Sequence, residues 1–169
     1  WKQSFPKIPG LALPQEPNRL EYMDYGPDSD KGIVSRPPKV IDREGYTIGV
    51  PAVDADGNDS AGVLAPMVRA PLGTYTGWSL RVRPNSAGVM HQMYGSYIPL
   101  PETREERDAT GDPRRSILER YGSKEGYMRV IEAAARALVV EGFMLEEDIE
   151  RAVAESRDWS RPLHDVGLE

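Results

Sequence analysis

Hydrolytic and acyl-transfer chemistry needs a nucleophile, a base to take its proton and a group that orients the base, so serine, histidine and carboxylate weigh first. Cysteine is absent, which removes thiolate nucleophiles, disulfides and thiolate zinc sites and leaves the compartment open. Two histidines are present, His91 and His164. Ser96 in "YGSYIP" and Ser123 in "YGSKEG" each follow a glycine, but neither stands in the G-x-S-x-G of a nucleophile elbow. Ser123 reads better as a helix cap. His91 lies in a β-leaning run and reads as a half-buried structural histidine, while His164, beside Asp165, falls in a tail that reads as mobile. The expectation is therefore that this chain holds no catalytic residue; a triad of His91 or His164 with an unrecognised serine is the alternative.

Metal and phosphate chemistry find little support. The segment Asp54-Ala55-Asp56-Gly57-Asn58-Asp59 has the acidic look of a calcium loop, but the glycine falls too early and Ala65 stands where the closing glutamate belongs. A turn is the better reading. The two histidines have no carboxylate at helical spacing to complete a metal site, and no glycine-rich phosphate loop follows a strand. Neither metal nor cofactor is expected. Asn58-Asp59-Ser60 fits a glycosylation sequon in form. Glu102, Glu105, Glu106 and Asp108 alternate with Arg104 and Arg107, the pattern of a solvated helix face laced with ion pairs.

The most unusual stretch is "APLGTYTGWSL", Ala70 to Leu80, which sets Tyr75 and Trp78 among small residues. Two readings stay open. Both rings could line a substrate groove, since an aromatic face gives broad apolar contact with a polar tip. In the other, which the composition favours, they form a packing corner where Gly73 and Gly77 let the backbone approach closely.

Elements must position these groups, and the chain is long enough at 169 residues for one domain with a real core. Fifteen prolines and sixteen glycines imply much irregular backbone. A formal charge of −6 argues against a nucleic-acid partner or an anionic membrane surface. No apolar run is long enough to span a bilayer, and the first residues lack the apolar core of a signal peptide. The chain reads as soluble. It begins at Trp1, not Met, which reads as a processed product or a piece of a longer protein.

Residues 1–45 carry prolines at a density that forbids helices, yet Phe5, Ile8, Leu11, Tyr22 and Tyr25 are too apolar for a solvated tether. They read as an extended arm lying against a larger body. Residues 46–169 form the second part, opening with a β-hairpin at about 46–68 from "YTIGVPAV" and "AGVLAPMV" around the Asp56-Gly57 turn, both strands demoted to edges by proline. A further strand falls within Val89 to Leu100. Helices follow at about 103–110, 116–121, 123–141 and 145–156. Capping boxes open the first two at Thr103–Glu106 and Ser116–Glu119, and Ser123 caps the third. Its apolar stripe is Tyr127, Ile131, Ala134 and Leu138, and Gly142 closes it. The last two helices are expected to pair as an αα-hairpin, with Leu145, Ile149, Ala152 and Val153 turned inward.

Taken together, "TYTGW", "GSYIP", "GDPR" and "ERYGS", within the long run from "VDADGNDSAGVLAPMVRA" to "EEDIERAVAES", resemble the C-terminal region of a bacterial family of alpha/beta hydrolase domain-containing proteins. The resemblance covers nearly the whole chain and includes "FPKIPGLALPQEPNRLEYMDYGPDSDKGIV" upstream. It implies a parent enzyme with a doubly wound sheet and a serine nucleophile acting on an ester or other acyl bond, with the nucleophile and the catalytic histidine lying before the segment matched here. The fold class it implies for this chain is an α+β fragment of a larger α/β-hydrolase-type protein: a proline-rich arm, a short hairpin and a helical C-terminal part. The implied partner is the upstream hydrolase core, with a small ester-like substrate for which Tyr75 and Trp78 are the candidate binding residues. The alternative is a non-catalytic binding or interaction module that keeps the fold.

Overall fold

A computed structural model describes residues 3–14, 21–43, 45–46, 49–81, 87–91 and 93–156. In chain order these form β1 (Met23–Asp24), β2 (Lys39–Val40), α1 (Pro66–Arg69), β3 (Gly73–Thr76), β4 (Ser79–Leu80) and β5 (Met90–His91). β6 (Ser96–Pro99), α2 (Arg104–Thr110), α3 (Ile117–Tyr121), α4 (Lys124–Val140) and α5 (Ile149–Glu155) follow, with 3₁₀ turns at Ser29–Lys31 and Glu146–Asp148. β1 pairs with β2, β3 with β6 and β4 with β5, each a two-stranded ladder. The described residues are thus mixed α+β.

The chain divides into two compact units, but not at residue 45. One draws on Trp1–Leu13, Pro51–Ser79 and His91–Glu169, the other on Pro14–Val50 and Leu80–Met90. The expected arm is split by this division. Phe5 and Ile8 are buried in the first unit, where the Phe5 ring lies 6.1 Å from that of Trp78. In the second unit β1 and β2 run antiparallel, Met23 opposite Val40 and Asp24 opposite Lys39. There the Tyr22 and Tyr46 rings meet at 3.8 Å and the Arg43 guanidinium lies 3.3 Å from the Tyr22 ring centre.

Among the described residues, which leave out 47–48, the expected hairpin over 46–68 does not form. A single antiparallel bridge joins Val53 to Asp59. Pro66 opens α1 where the second strand was expected, because a proline lacks the amide a ladder needs and has the φ of a first helical residue. The turn itself is held by a side chain: an Asp54 carboxylate oxygen accepts from the amides of Asp56 and Asn58 at 2.8 and 2.9 Å. Gly57 has φ +83° while Asp56 keeps a negative φ, so this is not the two-residue turn in which both central positions are left-handed.

The helical part follows the expected order, because its start and stop signals are local. Thr103 accepts from the Glu106 amide at 3.2 Å, and Ser116 and Glu119 form a complete capping box. The first box is incomplete: the Glu106 carboxylate reaches the Glu102 amide, at 2.7 Å, in place of that of Thr103. Ser123 accepts from the Gly126 amide at 3.1 Å. α4 ends in a Schellman arrangement, with Gly142 at φ +81° and the Phe143 amide bonded to the Leu138 carbonyl. Of the expected stripe, Tyr127, Ile131 and Leu138 are buried, with Ala135 buried in the place of Ala134. α5 packs on α4 and Ile149 is buried, whereas Leu145 is exposed as the residue before the 3₁₀ turn. Ala70, Leu72, Leu100, Ile117, Tyr127 and Ile131 make the core, with Tyr121, Met128 and Val153 against it.

Candidate functional site

β3 divides two environments by its alternation, since successive strand side chains point to opposite faces. Thr74 is fully buried on one face, and Tyr75 is half-buried on the other. The ladder sets Tyr75 directly opposite Tyr97 of β6, with the rings 5.1 Å apart and tilted by 44°. A side chain at Gly73 would strike the Tyr97 ring and the Ile98 carbonyl, so here the glycine does permit close approach. Gly77 has open space at the same point and no such duty.

On the Thr74 face the sequence builds a buried polar network. Arg114 and Asp112 are paired at 2.6 Å with side chains 2% and 5% exposed. The guanidinium also donates to the Thr74 hydroxyl at 2.9 Å and to the carbonyls of Ile98 and Pro99, both at 3.0 Å. Thr74 in turn donates to the Asp56 carbonyl, and Arg120 pairs with the Asp56 carboxylate. Asn58, 1% exposed, donates to the Gly73 carbonyl at 3.2 Å and accepts from the Tyr75 amide at 2.7 Å. These bonds clamp the 54–58 turn, β3 and the loop before α3 together, with every buried side-chain polar atom satisfied among the described residues. The Asn58 sequon is therefore closed to a glycan, because its amide nitrogen is buried and spent on the fold.

On the opposite face of β3 lies a groove of about 490 Å³ between α1, β3, β6, α4 and α5. Met67, Leu72, Met144 and Ala152 supply its apolar walls, and the rings of Tyr75, Tyr97 and Tyr127 enter it. That volume lies in the range of small-molecule sites. The Tyr97 hydroxyl donates to the Leu72 carbonyl at 3.0 Å. The Tyr127 hydroxyl is raised above the usual phenol range by burial, against the opposing effect of a hydrogen bond with Ser156. Burial also raises Tyr75, with Tyr97 adding to the effect. The Tyr75 hydroxyl has no hydrogen-bond partner among the described residues.

The two aromatic candidates thus separate. Tyr75 lines the groove; Trp78 is half-buried against Phe5, its carbonyl accepting from Thr76 at 2.5 Å and Ser96 at 3.2 Å, and is not among the groove-lining residues. Sequence reasoning missed Tyr97, Met144 and Arg151 as groove residues and took Tyr127 for core alone. The alternating "GSYIPL" run could have signalled Tyr97, but not its opposition to Tyr75. His91 is half-buried and stacks on the Tyr94 ring at 5.1 Å, with no hydrogen bond to a serine among the described residues. Ser96 and Ser123 are engaged with the Trp78 carbonyl and the start of α4. His164 lies outside the described residues. Among the described residues no cluster of metal-binding side chains occurs, and no helix is long and apolar enough to cross a membrane.

A groove with adaptable methionine walls and a phenol turned into it, carried on a mixed α+β frame, has the form of a small-molecule site. The chain matches the alpha/beta hydrolase domain family over residues 14–154 and belongs to that family. No curated protein and no solved structure matches it.

Proposed function

We propose that this chain is the C-terminal part of a serine hydrolase of ester or related acyl bonds, supplying scaffold and, through Tyr75, one wall of the substrate groove. The hydrolase-like family is the starting point. The observation that carries the reading further is the groove itself, where the hydroxyl of half-buried Tyr75, without a hydrogen-bond partner among the described residues, stands beside apolar walls. In this reading the nucleophile, the histidine and the bacterial hydrolase core lie upstream. The serine oxygen adds to the acyl carbonyl as the histidine takes its proton, backbone amides hold the oxyanion, and the alcohol leaves with that proton. Water then repeats the sequence and frees the acid. Trp78 belongs to the scaffold in this reading.

Labelling with a fluorophosphonate, read by intact mass, tests it on this chain and on a polypeptide extended through its upstream sequence. One adduct on the extended polypeptide alone is the expected result. An adduct on the shorter chain would overturn the reading and direct mapping to Ser96 and Ser123 first. Labelling of neither would favour a non-catalytic binding module.

A further inference from the structure

The groove carries a selectivity of its own, and the inference rests on the reading of Tyr75 as part of a substrate wall. Its charged groups are Asp148, Arg151 and Glu155. Arg151 is drawn between the two carboxylates, 3.0 Å from Asp148 and 4.0 Å from Glu155. Two carboxylates against one guanidinium leave a net negative edge, with its one cation already engaged. Tyr97 spends its hydroxyl on the Leu72 carbonyl, and Tyr127 shares a hydrogen bond with Ser156. Tyr75 differs: its hydroxyl has no partner among the described residues, and no buried side-chain polar atom there goes unsatisfied, so it is open to the groove. A phenol is an O–H donor at neutral pH, and burial moves the titration of this one further up.

We propose that the groove binds an uncharged ester, its hydrocarbon part against Met67, Leu72 and Met144 and its carbonyl oxygen accepting from the Tyr75 hydroxyl, and that the Asp148–Arg151–Glu155 edge excludes the corresponding carboxylate. An apolar chain gains by leaving water for methionine and leucine walls. A carboxylate in the same place would give up hydration without gaining a counter-charge, and would face net negative charge as well. The groove thereby admits the ester and turns away the acid that hydrolysis makes of it.

The test uses the whole chain with carbon-13 methyl-labelled methionine, titrated with methyl octanoate, sodium octanoate and octylammonium. Methyl octanoate should move the Met67 and Met144 signals and leave those of Met23 and Met93, which do not line the groove, unchanged. Octanoate at equal concentration should move none of them. Tyr75→Phe should weaken the ester by about fivefold, the loss of one neutral hydrogen bond. Asp148→Asn with Glu155→Gln frees Arg151 and should raise octanoate affinity by about fivefold, the scale of an exposed ion pair. Glu155→Gln alone, at a side chain 73% exposed, should act in the same direction and leave the fold intact.

Octanoate binding the native chain as tightly as the ester would overturn the charge selectivity while the wall reading stands. Octylammonium binding more tightly than the ester would overturn the assignment of an uncharged ligand, though not the exclusion of the carboxylate. An unaltered ester affinity in Tyr75→Phe would overturn the carbonyl assignment. Failure of all three probes to move Met67 and Met144 would overturn both the selectivity and the wall.

Discussion

Arg114 shows how much one residue can hold. Its guanidinium bonds to Asp112, Thr74 and the carbonyls of Ile98 and Pro99, and so joins the loop before α3 to both strands of the β3–β6 ladder. Removing one partner of a buried pair strands the other charge, which costs roughly 3–5 kcal/mol. Arg114→Met should lower the urea midpoint accordingly, and Arg114→Met with Asp112→Leu should lower it less, because no lone carboxylate remains. The buried tyrosines give a second prediction at this scale. Burial raises Tyr75, Tyr121 and Tyr127 above the ordinary phenol value near 10, so the unfolded chain gives up those protons first as pH climbs. The native state then binds more protons than the unfolded one, and stability falls with rising pH. Urea midpoints should hold up to about pH 9.5 and decline above it, through the window between the unfolded and raised native values. Tyr75→Phe should flatten that decline; an unchanged slope would count against its burial.

At the scale of elements, each helix of the C-terminal part is bounded by contacts within a few residues. α3 is the clearest: Ser116 and Glu119 exchange bonds at its start, and Gly122 at φ +70° ends it. Hydrogen bonds from its own Ser116, through backbone first and hydroxyl second, hold the Glu119 carboxyl below the usual range. Gly126 is the instructive case in α4. An alanine there should gain helix propensity of about 1 kcal/mol over glycine. Its Cβ would instead collide with the Tyr121 carbonyl oxygen, where α3 gives way to α4. Gly126→Ala should therefore lower the thermal midpoint, and a rise would show that this junction relaxes easily. β3 and β6 have no comparable local signal. Their register depends on Tyr97 lying over Gly73, a contact between residues far apart in the chain.

For the whole molecule, the two units differ in how much they bury. The first holds the core from Ala70 to Ile131, whereas every described apolar side chain of residues 21–43 is at least partly exposed. Amides in 21–43 should exchange with deuterium far faster than those of α4 and β3, since opening there uncovers little apolar surface. Protection equal to that of α4 would show that 21–43 is buried against something further. The sequence by itself determined the net charge, the lack of a nucleophile elbow and the order and caps of the helices, because each depends on composition or on contacts three to five residues apart. Its 3.6-residue stripe also found Tyr127, Ile131 and Leu138 of the face that α4 buries, but missed Gly126 and Ala135 and included the half-buried Ala134. It misread 61–68 as strand, where Pro66 served equally as an edge breaker or a helix opener and only packing against α4 decided between them. Tertiary structure alone put Asn58 in the interior, parted Trp78 from Tyr75, and gathered Tyr75, Tyr97 and Tyr127 around one groove. Those outcomes depend on which distant segments meet, and no spacing along the chain encodes that meeting.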